Sequence, residues 1–359
     1  MKFLHTSNIN IGMFPDPDKF WSSDREKDIK DTFIKIIKMC DEMSIDLLLI
    51  SGNLFYHQPT FEELNFVNDN FKKIPNTNVI IVAGSNDYIK SNSPILNFNF
   101  SENVYYFLNN IPETFHIENK NIAVHGFSYY SPEESSPLTN SININDNDII
   151  NILMFYGGDT RHVPFDLNKL VEKNISYIAL GLDNNYQELI EKKAYYPGSP
   201  EPLSQVDEGD HGVVIGEIDE KTNAVKSINF VKTAKISYIP ILVKVNSKTT
   251  EADVATLVSK EAIRQGSDNI YKIIIEGMRN PDIEFSEYIL SSKIKIISFD
   301  DRSKPKYDFV KLSSEHPKDM IGAFIRKMTT MNKELSDIEK KALYLGTQAL
   351  IKSTEKEHL

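Results

Sequence analysis

The stretch HTSNINIG (residues 5–12) closes the first apolar run of the chain. Four further stretches repeat its placement: SGNLFYHQ (51–58), AGSNDY (83–88), MFYGGD (154–159) and ALGLDNN (179–185). Each sits at the end of a short apolar run, at residues 2–5, 46–50, 78–83, 150–155 and 177–180. Runs of that length, bounded by turn residues, predict buried strands. Helical patterns lie between the first three. Ser23-x-x-Glu26 predicts a capping box ahead of Ile29, Phe33, Ile36, Ile37 and Cys40 on one face. Thr60-x-x-Glu63 predicts a second ahead of Leu64, Val67 and Phe71. Strand–helix alternation with loops at the carboxyl ends of strands is the signature of an α/β fold, whose sites gather at those ends.

Beyond residue 192 the pattern shifts to strands and turns, at 193–196, 211–218 and 225–231. A second unit opens near Ile236, with strands at 239–245, 270–276 and 294–299 and helices at 251–264 and 283–291. From His316 the chain predicts two helices. Met320, Ile321, Phe324, Ile325 and Met328 form the face of the first, and Ser336-x-x-Glu339 caps the second. The Met-containing face is either core packing or a groove for a partner's helices. The Phe14, Phe20 and Trp21 group predicts a loop packed on the core, or a lid over the strand-end loops.

The chain has 359 residues, 40 Lys plus Arg against 51 Asp plus Glu, and a formal net charge of −11. That balance argues against strong non-specific nucleic-acid binding by the whole surface. One cysteine, Cys40, excludes an intramolecular disulfide and a Cys-based zinc site. No apolar run has the length of a membrane span, and Met1 leads straight into a strand, so a cytoplasmic, reducing location without membrane contact is expected. His5, His116, His125, His162, His211, His316 and His358 show no metal-ligand spacing and read as structural or solvated. No phosphate-loop signature of an ATPase is present.

The five stretches, in their order and spacing, resemble the calcineurin-like metallophosphoesterases, and most closely the SbcD-type DNA repair exonucleases. Where that family has D-x-H, this chain has Asn8-Ile9-Asn10. Its G-D-L-F is Gly52-Asn53-Leu54-Phe55, and its G-N-H-D is Gly84-Ser85-Asn86-Asp87. Tyr156-Gly157 stands for its H-G, and Gly181-Leu182-Asp183-Asn184 for its G-H-x-H. The helix start Asp24-Arg25-Glu26 and the run Tyr196-Pro197-Gly198-Ser199-Pro200-Glu201-Pro202-Leu203 extend the resemblance, which covers nearly the whole chain. It implies a four-layer αββα sandwich over residues 1–233, a small α+β capping domain over 236–303, and a C-terminal helical pair over 315–355 that binds a partner.

The same resemblance implies seven metal-ligand positions: Asn8, Asn10, Asn53, Ser85, Tyr156, Leu182 and Asn184. None carries the family's ligand. Asn86 stands where a transition-state histidine is expected, and only the supporting Asp87 is retained. Two divalent ions need carboxylates to offset their charge, and neutral amides cannot supply it. Asp183, Asp159 and His57 stand beside ligand positions as weak rescuers. No cofactor is therefore expected, and Mn, Zn or Mg if any. Three functions remain open. The first is a catalytically degenerate SbcD-like subunit, a homodimer that scaffolds or regulates an SbcC-type SMC-like ATPase and meets DNA mainly through that complex. The second is a metal-dependent DNA exonuclease or phosphodiesterase with shifted ligands. The third is a stand-alone DNA- or nucleotide-binding module.

Overall fold

The computed structural model describes residues 1–117, 120–144, 146, 148–290, 293–329 and 335–356, of which 354–356 by backbone only. Ser291 and His358 lie outside the described residues. The chain divides into two compact units, Met1–Ile239 with Asp268–Tyr271, and Pro240–Ser267 with Lys272–Leu359.

Two six-stranded sheets make the first unit. In the first sheet, β1 (Lys2–Thr6), β2 (Leu47–Ser51), β3 (Asn78–Val82) and β4 (Val104–Tyr106) run parallel. In the second, β5 (Glu113–Ile117) pairs antiparallel with β6 (Ile122–Gly126). From there β7 (Ile150–Tyr156), β8 (Tyr177–Gly181) and β10 (Ala194–Tyr196) continue parallel, and β9 (Gln187–Ile190) closes the edge antiparallel. The first sheet is extended past β1 by β11 (Gly212–Ile218) and β12 (Val225–Lys232), both antiparallel.

The strand pleat sorts the side chains into layers. Phe3, Leu47, Leu49, Ile80 and Val82 of the first sheet meet Val124, Ile152, Met154, Tyr177 and Ala179 of the second. On the outer face of the first sheet, Leu4, Leu48, Ile50, Val79 and Ile81 pack against α1 (Ser22–Glu42) and α2 (Phe61–Phe71) through Ile29, Phe33, Ile36, Leu64 and Val67. On the outer face of the second, Leu153, Phe155, Ile178 and Leu180 are covered by Phe127, Tyr129 and Leu170, the last from the short α3 (Leu167–Val171). The unit is an α/β sandwich with two sheets at its centre. Strands covered on both faces must be apolar throughout, which is why LLLIS, INILMFY and YIALG carry no alternation.

The start of α1 differs from the sequence expectation. The helix begins at Ser22 after Trp21, and no side chain caps it, so Ser23 and Glu26 form no capping box. Trp21 is buried and its indole N–H donates to Asp16 Oδ2 at 2.8 Å, and the helix cap lies there, two residues earlier than Ser23. Phe14 and Phe20 stay exposed, so only Trp21 of that group packs on the core. The second box is present: Glu63 N–H donates to Thr60 Oγ1 and Thr60 N–H to Glu63 Oε2.

In the second unit, β13 (Tyr238–Val245), β14 (Ile270–Arg279) and β15 (Lys295–Asp301) form one sheet, with β16 (Lys304–Pro305) also paired to β14 and α4 (Glu251–Gln265) capped by Thr250. The helix expected over 283–291 is reduced to one 3₁₀ turn, Glu287–Ile289. The Arg279 guanidinium takes up the Ile283 carbonyl, which the helix would have used, together with those of Asn280 and Pro281 ahead of it. The expected helical pair has a third member ahead of it. Among the described residues the tail holds α5 (Phe309–Glu315), α6 (Met320–Thr329) and α7 (Asp337–Lys356). Reading the tail for apolar stripes misses α5, because it buries none of its residues fully. Ile321 and Ile325 meet Leu343 in a small core, whereas Met320 faces out, 72% exposed. Ser336 caps α7 with Glu339 as expected.

The run at 196–203 is fastened to α1 by a buried ion pair. Arg25, fully buried, donates from Nη1 to Glu201 Oε2 at 3.3 Å and from Nη2 to the Pro202 carbonyl at 2.7 Å. Glu201 also accepts from Thr32 Oγ1 (2.6 Å) and the Lys235 N–H (2.7 Å). Arg25 Nη1 also donates to Asp28 Oδ2 at 2.8 Å, so losing Arg25 strands the buried Glu201 carboxylate, whereas losing Glu201 leaves Arg25 paired. Arg25→Met is therefore expected to destabilise the protein by about 3–5 kcal/mol, and Arg25→Met/Glu201→Leu by clearly less. Urea unfolding of the two variants checks this, and equal losses would contradict it.

Candidate functional site

The loops after β1, β2, β3, β7 and β8 converge at the carboxyl ends of their strands. Backbone bonds join them: Asn8 N–H to Gly52 O at 2.9 Å, Asn10 N–H to Asn53 O at 3.0 Å, and Gly157 N–H to Gly181 O at 2.9 Å. The turns are tight enough to need left-handed backbone at Asn8 (φ 49°), Asn10 (φ 54°) and Asn53 (φ 47°). Asparagine tolerates that region better than other non-glycine residues. Leu182, at φ 142°, lies where a leucine is strained, at a cost of about 1–3 kcal/mol.

All seven expected ligand positions, with Asn86, line one cavity of about 280 Å³. Their side chains bond in two groups. Asn8 Nδ2 donates to Leu182 O (3.0 Å), Asp183 O (3.3 Å) and Asn184 Oδ1 (2.9 Å), and Asn184 Nδ2 donates to Asp207 Oδ1 (3.3 Å). On the other side, Asn53 Nδ2 (3.0 Å) and Ser85 Oγ (3.1 Å) donate to the Tyr156 phenol oxygen. Asn86 donates from its backbone N–H to Asn53 Oδ1 (2.9 Å) and from Nδ2 to Asn10 Oδ1 (3.0 Å). The Tyr156 ring fills the space between loops. A Cβ built on Gly52 would come within 2.6 Å of it, and one on Gly84 within 2.8 Å. Burial raises the Tyr156 pKa, with the Ser85 and Asn53 bonds opposing, so the phenol is neutral at ordinary pH.

The retained Asp87 does not face the cavity. It is fully buried and accepts from Gly84 N–H (2.7 Å) and Phe55 N–H (3.2 Å), holding the second and third loops together. The three rescuers also lie elsewhere. Asp183 accepts from Asn185 N–H and from Gln187, and Asp159 from Arg161 N–H and His162; both carboxylates line a neighbouring cavity of about 730 Å³. His57 is bonded to the Gln58 carbonyl and paired with Glu63. Each of the four is held by partners outside the cavity, which is the geometric reason none of them substitutes.

This donor set does not fit a binuclear metal pair. Asn10 and Asn53 already spend their carbonyl oxygens on Asn86, and Tyr156 accepts two hydrogen bonds as a neutral phenol. Asn8 Oδ1 is the one buried lining oxygen without a donor among the described residues. Among the described residues no three His, Cys, Asp or Glu side chains cluster at metal-binding separation.

Some residues of the site were not singled out from the sequence. Asp207 accepts from Asn184 Nδ2 and from the Leu203 and Ser204 N–H groups; the spacing Ser204-x-x-Asp207 was its only local signal. Tyr129 and Tyr196 donate to the carbonyls of Tyr156 and Gly157, steadying that loop from below. His5, His125 and His211 are buried and bonded, as a structural role requires. His5 Nε2 lies 2.7 Å from Ser51 Oγ, and burial lowers its pKa to about 3.

No family model matches the chain. Over 193 residues it is 26% identical to the DNA double-strand break repair protein Mre11 of Methanocaldococcus jannaschii, a span of 50% of this chain and 50% of that relative. The match thus covers half the length of the curated relative. The similarity is to a DNA repair protein. Among solved structures, TT1561 of Thermus thermophilus aligns at TM-score 0.35 and 9% identity, over 65% of this chain and 98% of that one. A second crystal structure aligns at TM-score 0.36 and 14% identity, over 64% and 99%. Likenesses at that level carry no weight.

Burial pushes the Asp87 carboxyl up from 3.8 to about 6, only partly offset by the backbone N–H groups it binds. The folded chain therefore holds this proton more tightly than the unfolded chain. Its contribution to stability is full below about pH 4 and is lost as pH rises through about 6, by roughly 2–3 kcal/mol at most. Asp87→Asn cannot titrate, so the wild-type urea midpoint should fall relative to that variant's between pH 4 and 6.5. A pH-independent difference would show that Asp87 is ionised throughout.

Proposed function

We propose that this protein is a catalytically degenerate relative of the SbcD-type DNA repair nucleases that keeps the phosphoesterase frame without its hydrolytic chemistry. One observation carries the reading: at five strand ends, the positions that would hold ions are occupied by amides, an alcohol, a phenol and an aliphatic chain, and most of the polar groups are already bonded to one another. Two divalent ions among neutral groups would lack the carboxylates that offset their charge. The half-length similarity to a DNA double-strand break repair protein supports the DNA repair setting.

On this reading the protein works as a scaffold or regulator. Residues 236–303 act as the capping domain and the helices of 315–355 as a partner-binding tail. We assign it a homodimeric form and an SbcC-type SMC-like ATPase as partner, with DNA reached mainly through that complex and no resident cofactor. We place it in the cytoplasm; among the described residues no helix is long and apolar enough to cross a membrane.

Purified protein is expected to retain less than one equivalent of Mn, Zn or Mg after desalting. Its turnover of bis-p-nitrophenyl phosphate in excess manganese should stay at background and be unchanged in Asp183→Asn and Asp87→Asn. Two equivalents of metal, or chelator-sensitive turnover lost in those variants, would establish the shifted-ligand enzyme instead.

A further inference from the structure

The polar groups of the cleft are arranged to meet an uncharged ligand. Asn8 is 1% exposed, and its amide orientation is fixed, because three acceptors surround Nδ2. Its Oδ1 is a buried acceptor that no donor among the described residues reaches, in a residue that lines the cavity. Nearby, Asn10 Oδ1 is taken by Asn86 Nδ2, which leaves Asn10 Nδ2 as an open donor and Asn86 Oδ1 as an open acceptor. An open amide donor on Asn10 and an open amide acceptor on Asn86, both on residues lining one cavity and joined by one hydrogen bond, match the edge of a nucleobase. Tyr56, 46% exposed on the cavity wall, offers a ring face for stacking, with Met13 and Leu203 as further apolar surface.

Charge decides against a phosphate. Among the described residues no lysine or arginine lines this cavity. The adjoining cavity, which shares Leu182 and Asn184 with it, is lined by Asp159, Asp183 and Asp207 and likewise by no lysine or arginine. A phosphate here would meet carboxylates and no cation, so the site repels the group that a metal centre would have held. A volume of about 280 Å³ suits one base and little more.

We propose that the cleft binds an unphosphorylated nucleobase or nucleoside, discriminating against its 5′-phosphate. The proposal rests on the reading of the cleft as free of ions. The ligand is a planar neutral heterocycle presented by a free base or nucleoside, because a base splayed out of a single strand brings a phosphodiester on each side.

Isothermal titration of the full chain with adenosine, guanosine, cytidine and thymidine, each against its 5′-monophosphate, tests it. At least one nucleoside should bind, with its monophosphate at least tenfold weaker. Tyr56→Ala and Asn10→Asp should each weaken that nucleoside at least tenfold; the second keeps the acceptor for Asn86, replaces the open donor by an oxygen and adds a negative charge. A short single-stranded oligonucleotide, whose phosphodiesters the cleft should repel, is expected not to compete with the nucleoside; competition would overturn the proposal. No binding by any nucleoside, equal or tighter binding of the monophosphate, or wild-type affinity in both variants would overturn the proposal. Metal content measured on the same sample keeps the two readings apart. Two bound ions would refute the ion-free cleft, whereas a metal-free protein that ignores nucleosides would refute only this inference.

Discussion

The two sheets of the sandwich are tied at their carboxyl ends by hydrogen bonds between side chains that carry no charge, and the site depends on this. Asn8, after the first strand of one sheet, donates to the loop at 182–184 after a strand of the other. Tyr156, at the end of a second-sheet strand, accepts from Asn53 and Ser85 on first-sheet loops. A binuclear centre would cross-link the same five loops through its ligands. Here amides and a phenol do it, and the bonds are local, directional and independent of any ion.

The chemical cost of the alternative explains why neutral groups suit the position. Carboxylates gathered at these strand ends without ions would leave buried charges uncompensated, each worth several kcal/mol. An amide supplies donor and acceptor at once and can close a network with its neighbours. Asparagine also accepts the left-handed backbone that the loops impose at positions 8, 10 and 53. Where charge is retained it is handled differently. Glu201 is paired with Arg25, and Asp87 is surrounded by backbone N–H groups in a site where burial raises its pKa to about 6. The closed network leaves a few groups over, and those few define what the cleft can recognise.

Much of this was legible in the sequence for a simple reason. Strands buried on both faces must be continuous apolar runs, which places the five loops at strand ends, and the resemblance to the phosphoesterases is what implied that residues 8, 53, 85, 156 and 182 share one site. The failures were local. Ser23 and Glu26 had the spacing of a capping box, but burial of Trp21 set the helix start elsewhere. Residues 283–291 read as helix because nothing in the segment reveals that Arg279 claims the Ile283 carbonyl. The short α5 has no fully buried face to detect.

The sequence by itself determined the order of the strands' apolar runs, the placement of five loops at strand ends and the absence of ligand-type side chains at those positions, because these follow from composition and period along the chain. Only the tertiary structure decided where each polar atom points. Asp183, Asp159 and His57 lie next to the cleft in sequence and face away from it. Asp207 joins it from a distant turn, and Asn8 Oδ1 is left without a donor. Such outcomes depend on φ, ψ and rotamer at single loop residues and on partners far off in the chain, and no local pattern encodes them.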